Sequence, residues 1–185
     1  MMRSFIAGLA FACLMITPAA AAQWNVDHAK SRLGFTVQWS GEAFVATFKS
    51  WRADISFDAA DLAHAKATVT IDLSSEVSDL PDNDEGLKGP EGFAISQFPA
   101  ARFETTGFTA KGSGYVAAGR LTIRGVSRPI TLPFALTITG DTAHMTGRAV
   151  VIRTDFGLGH GEWASPSTIA HEVAITVDLT ATKAH

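Results

Sequence analysis

Cysteine is nearly missing from this chain: Cys13 is the only one in 185 residues. A single cysteine makes no internal disulfide, no thiolate-held metal centre and no covalent c-type haem. Charge is sparse as well, at 18% of residues with a formal net charge of −3, so the basic excess that a nucleic-acid backbone demands is absent. No apolar run reaches the roughly 20 residues of a membrane-spanning helix. What the chain does have is 46% hydrophobic residues, which excludes disorder, and a length that suits one domain.

The familiar catalytic signatures are missing too. His171-Glu172 opens like a zinc-protease helix, but Ile175 stands where the second histidine is needed and the segment has strand character. Gly157-Leu158-Gly159-His160-Gly161 has the look of a phosphate loop without the following helix that would supply amide donors, and reads as a tight turn. Ser113 lacks the spacing of a nucleophile elbow. The acids from Asp79 to Glu91 do not fit a calcium loop, because aligning Gly86 with its glycine puts Pro81 at the first ligand position; a solvated acidic loop is expected.

Residues Met1 to Ala22 carry Arg3, an apolar run from Phe5 to Ile16, and small residues ending in Ala20-Ala21-Ala22. This is the pattern of a secretory signal, and cleavage is expected after Ala22. The mature chain then begins at Gln23 and loses Cys13 with the leader; Phe11 and Ala12 fit a lipidation site at Cys13 poorly. A periplasmic location follows as an expectation, with one domain spanning residues 23–185.

From Trp24 onward the dominant period is two, the signature of half-buried strands. Leu33, Phe35, Val37 and Trp39 alternate with polar residues, as do Ala53, Ile55 and Phe57, then Ala67, Val69, Ile71 and Leu73. Ile130, Leu132, Phe134, Leu136 and Ile138 repeat the rule, and so do Val173, Ile175, Val177 and Leu179. With the runs at 101–110, 115–123 and 143–154, about eight strands result, joined by turn signals such as Gly125-Val126-Ser127 and Gly140-Asp141. An antiparallel set of this kind closes into a barrel or stacks as a sandwich. Two stretches break the pattern, Ser74 to Phe98, with room for short helical turns, and Asp155 to Thr168, rich in Gly and Ser.

Among the histidines, His28, His64, His144 and His171 are scattered singly, whereas His160 shares a loop with Glu162 and Trp163. Arg120, Arg124 and Arg128 cluster at one hairpin and read as its solvated end. Twelve phenylalanines and four tryptophans supply core, and an eight-stranded barrel can leave space for one apolar ligand.

Four fragments in order carry a family resemblance: Trp24-Asn25-Val26-Asp27-His28 with Ser31-Arg32-Leu33-Gly34-Phe35, Phe98-Pro99-Ala100-Ala101-Arg102-Phe103, Leu121-Thr122-Ile123-Arg124-Gly125-Val126, and Arg153-Thr154-Asp155-Phe156-Gly157. Together they resemble the YceI-like, polyisoprenoid-binding family. The resemblance implies an all-β, lipocalin-like antiparallel barrel of about eight strands, exported in bacteria, with an apolar interior cavity for an isoprenoid tail such as that of a quinone or polyprenyl lipid. It implies no enzyme activity and no cofactor other than such a non-covalent ligand. The family's usual Arg-Asp pair followed by His-Leu is not kept, since Asn83 and Gly86 stand in the Arg and His places. With Leu132-Pro133-Phe134 and Gly159-His160-Gly161-Glu162-Trp163, the chain is similar to a subgroup associated with a b-type membrane cytochrome, a possible partner.

The expected ligand-binding residues are Phe35, Val37, Ile55, Val69, Ile71, Phe93, Phe103, Phe134, Leu136, Phe156 and Ile175 for the tail, with the loop from His160 to Trp163 as the head-group contact. The competing readings are a cytochrome adaptor with a filled barrel and an enzyme acting on a quinone or lipid.

Overall fold

The computed structural model describes residues 21–184. Of the leader expected over Met1–Ala22, residues 1–20, with Cys13 among them, lie outside the described residues. Eleven antiparallel strands form one sheet: β1 (Gln23–Val26), β2 (Arg32–Trp39), β3 (Glu42–Phe48), β4 (Trp51–Ser56), β5 (Lys66–Asp72), β6 (Glu76–Val77), β7 (Ala100–Lys111), β8 (Gly114–Ile123), β9 (Val126–Thr139), β10 (Thr142–Ile152) and β11 (Ile169–Lys183). Among the described residues there is one α-helix, α1 (Pro81–Lys88), between β6 and β7.

The eleven segments amount to eight staves. β11 pairs with β1 at Val26↔Ala181 and with β2 at Arg32↔Asp178, so β1 and β2 are one strand interrupted by a short 3-10 turn at His28–Lys30. β3 pairs with β2 while β4 pairs with β1, and β6 pairs with β3 while β5 pairs with β4. Three neighbouring staves are therefore each broken once, and the breaks lie side by side. Asp27 and Asp72 accept backbone N–H groups at two of them, and Ser75 bridges to Ser50 at the third, which satisfies donors that the ladder leaves unpaired. The antiparallel meander then runs through β7, β8, β9 and β10 to β11, which closes the ring. Closure removes every free edge along most of the barrel.

The eight expected strands are all present, while β1, β3 and β6 were not expected as strands, β6 falling in the stretch that breaks the alternation. In β3 the cause is local. Phe44 and Ala46 face inward and are buried, yet Val45 between them is 58% exposed. An apolar residue on the outward face hides the period of two, which is why the strand is hard to read. At β8–β9 the turn is made by Arg124 (φ 51°) and Gly125 (φ 72°), the left-handed pair that two-residue hairpins need. At the other end of the chain, Ser56 Oγ donates to the Ala21 carbonyl and the Phe57 N–H donates to that of Ala22. A chain beginning at Gln23 forgoes both bonds.

The two irregular stretches sit at one end of the barrel. The acidic stretch is not simply solvated: residues 81–88 form α1, whose Asp84 is buried and accepts hydrogen bonds from the Ser78 backbone N–H and hydroxyl. The 155–168 stretch contains short 3-10 turns at Arg153–Phe156 and Gly161–Ala164. The arginine hairpin is not a free surface either, since Arg124 Nη1 donates to the carbonyls of Pro90 (2.8 Å) and Gly92 (2.5 Å), and Arg128 Nε to that of Asp155 (3.1 Å).

Candidate functional site: a two-chambered apolar interior

Inward-facing side chains leave two cavities in line within the barrel. The loop-side cavity, of about 110 Å³, lies beneath α1 and the 155–168 loop. The hairpin-side cavity, of about 170 Å³, extends toward the β7–β8 and β9–β10 turns. Leu33, Ile71, Leu121 and Ile175 line both.

Twelve of the thirteen expected residues face this interior. Phe35, Val37, Phe93, Phe156 and Trp163 line the loop-side cavity; Ile55, Val69, Phe103, Phe134 and Leu136 line the hairpin-side cavity; Ile71 and Ile175 line both. The exception is His160, which is exposed, lines neither cavity and gives its carbonyl to the Trp163 N–H. Among the residues not expected, Trp39 and Leu33 lie on the apolar parity of β2, so the signal was in the sequence. Arg153 and Glu91 carry no such signal, because a charged residue does not announce itself as a cavity wall.

Aromatic rings shape both ends. On the hairpin side, Phe57 meets Phe108 (centroids 5.3 Å), Tyr115 (5.5 Å) and Phe134 (6.3 Å), mostly edge to face, and Trp24 Nε1 donates to the Phe57 carbonyl at 2.9 Å. On the loop side, Trp39 packs edge-on against Trp163 at 5.1 Å and Phe35 against Phe93 at 6.3 Å. A Cβ on Gly86 would meet the Trp163 ring at 3.1 Å. Glycine at this position therefore leaves room for the indole.

Charge reaches the interior only on the loop side. The Arg153 guanidinium is buried at 5% exposure and has no salt-bridge partner among the described residues. It donates instead to four carbonyls, those of Ala170 (3.0 Å), Leu158 (2.9 Å), Trp163 (2.6 Å) and Ile169 (2.7 Å). Burial pushes its pKa down, though a guanidinium stays charged at any physiological pH. A side chain at Gly159 (φ 85°) would run into Nη1, so the loop can wrap the guanidinium only with glycine there. Glu91, in the segment between α1 and β7, accepts the Gly159 N–H through its backbone carbonyl at 2.8 Å.

Near this end, outside both cavities, lies a second buried charge-bearing group. Glu76 of β6 is fully buried, and neither carboxylate oxygen has a hydrogen-bond partner among the described residues. Burial first, and the nearby Asp84 carboxylate second, raise its pKa to about 7. Among the described residues no group of three or more His, Cys, Asp or Glu converges on a metal-sized space.

Known proteins carry the same architecture. The structure of BcnA from Burkholderia cenocepacia superimposes with a TM-score of 0.82 at 31% identity, covering 85% of this chain and all of that one. A polyisoprenoid binding domain from Saccharophagus degradans, at 14% identity and a TM-score of 0.62, shares the fold over 90% of this chain and all of that one. In sequence, a UPF0312 protein of Yersinia pestis and Protein YceI of Salmonella agona are each 30% identical over 76% of both chains. The YceI-like domain matches residues 24–181, and the chain belongs to that family.

Proposed function

We propose that this protein binds and shields an isoprenoid lipid, its tail in the barrel and its head at the loop-side end. The observation that carries this reading is the asymmetry of the interior. Two cavities in line are walled by aliphatic and aromatic side chains, and the charged residues that reach them, Glu91 and Arg153, do so only at one end. A linear hydrocarbon with one polar terminus matches that shape and polarity. Burying each methylene yields about 0.8 kcal/mol, so ten would gross roughly 8 kcal/mol before entropic losses. Affinity then comes from the tail, and the head needs few contacts. The neighbour from Saccharophagus, named for polyisoprenoid binding, supports the same ligand class.

Within this reading the ligand is quinone-like or polyprenyl, and the protein works in the periplasm after export. The leader-like start with Arg3 and the alanines before Gln23 supports export. Support of a membrane redox partner, such as a b-type cytochrome, rests on the subgroup resemblance. Binding rather than catalysis is the reading that membership of a YceI-like family with a polyisoprenoid binding neighbour supports. The test is organic extraction of protein purified from its native envelope, followed by mass spectrometry. A stoichiometric prenyl lipid is expected; a protein that yields none, and takes up none after delipidation, overturns the reading.

A further inference from the structure

Leu33, Ile71, Leu121 and Ile175 belong to β2, β5, β8 and β11. In the order of staves around the ring these are the first, third, fifth and eighth, and Ile130 of β9, the sixth, packs against both hydrophobic clusters, so side chains approach the axis from most of the ring. Leu33, Ile71 and Leu121 are each at least nine-tenths buried and belong to one hydrophobic cluster, against which Ile175 packs. They form a collar between the two cavities, and the larger cavity lies on the side away from Arg153 and Glu91.

This geometry has a consequence for tail length. A lipid whose head stays at the charged end fills the smaller cavity first, and each added carbon contributes until that cavity is full. The next carbons must displace the collar before they gain anything, and only a tail long enough to pass well through it collects contacts with the larger chamber. Aliphatic side chains can open such a passage by changing rotamer, without moving the barrel wall. Contact with tail length therefore rises in two stages separated by a step.

We propose that the collar of Leu33, Ile71, Leu121 and Ile175 is the specificity-determining element of the interior, selecting long polyprenyl tails over short prenyl ones. The inference rests on the isoprenoid reading above. It assigns the ligand class more narrowly, to chains that thread both chambers.

Competition between benzoquinones with geranyl and solanesyl tails tests it. Delipidated protein is incubated with an equimolar detergent solution of the two, re-isolated, extracted and analysed by mass spectrometry. Wild type should recover the solanesyl compound at least tenfold over the geranyl one. Leu121→Trp, which fills the collar, should bring that ratio to about one. Detergent partition is the same for both proteins, so the change in ratio reports the collar alone. Should Leu121→Trp fail to show a cooperative melt, Ile175→Phe narrows the same ring more gently and must lower the ratio at least threefold. A ratio unchanged in the folded variant, or loss of both quinones in equal proportion, overturns the collar but leaves lipid binding standing. A wild type that retains neither quinone overturns lipid binding itself, and the collar with it.

Discussion

The two chambers of the barrel solve the same packing problem differently. The hairpin side is built from long regular strands and closed by rings, with Phe57 and Phe134 touching each other and both Phe108 and Tyr115. Its stability is hydrophobic and local to the ladder. The loop side is roofed by irregular backbone, and it is held by polar groups: four carbonyls on Arg153, two on Arg124, and Asp84 on Ser78. Irregular chain exposes carbonyls that no neighbouring strand can pair, so an arginine with five donors does the work of a missing strand. One end is a rigid container and the other a cover tied down by a few charged side chains.

Cutting the strongest tie should break the contrast most. Arg153→Ala leaves the carbonyls of Leu158, Trp163, Ile169 and Ala170 without their donor, and a loss of about 3 to 5 kcal/mol is expected in urea denaturation. Loss below about 1 kcal/mol would mean that the loop is held by something else. The same variant should leave the hairpin-side amides slow in hydrogen exchange.

Acid and base should separate the two ends next. Burial raises the Glu76 carboxyl to about 7 from an ordinary 4.5, so the folded protein keeps a proton that the unfolded chain releases. The group's contribution is intact below about pH 4.5 and is lost as pH rises through about 7, up to roughly 3 kcal/mol. Glu76→Gln should flatten that slope between pH 5 and pH 8. An identical slope in the variant would place the titration elsewhere.

Filling the hairpin side probes its emptiness. Val69 lines that cavity, whereas Thr70 is on the opposite face of β5. Val69→Trp should shift the stability of delipidated protein by less than about 1 kcal/mol while recovered lipid falls sharply; Thr70→Trp should keep its lipid. Overpacking of a filled core would instead destabilise by about 1 to 3 kcal/mol.

The smallest effect is expected at Gly86→Ala. The change gains up to about 1 kcal/mol of helix propensity in α1, but the new methyl presses on the half-buried Trp163. The two should nearly cancel, and the melting temperature should stay within about 2 °C. A larger drop would show that the indole cannot move and that the roof is stiffer than its hydrogen bonds suggest.

Most of the barrel was legible in the sequence because period-two burial is a local property. Val69, Ile71, Phe134 and Leu136 could be assigned to the interior from their neighbours alone. The three stave breaks were not, since a strand that stops and resumes looks like two unrelated runs. In the site, apolar lining residues declared themselves by parity. Arg153 and Glu76 did not: their burial depends on which carbonyls or acids the fold brings to them from segments distant in sequence. His160 shows the converse, in that a polar residue beside aromatic ones suggested a place at the cavity, whereas it is exposed and lines neither chamber.

β11 touches β10 along one side and both β1 and β2 along the other. The last strand to be synthesised is thus the stave that shuts the ring. Until residues 169–183 have left the ribosome, the nascent chain is an open, curled sheet with two bare edges and its apolar concave face toward water. Such a sheet invites pairing with other chains. Transcripts that end early should for this reason yield aggregation-prone products even when only the final strand is lost. The N-terminal strand has to wait for its C-terminal partner, so the ring cannot close until synthesis has passed residue 183.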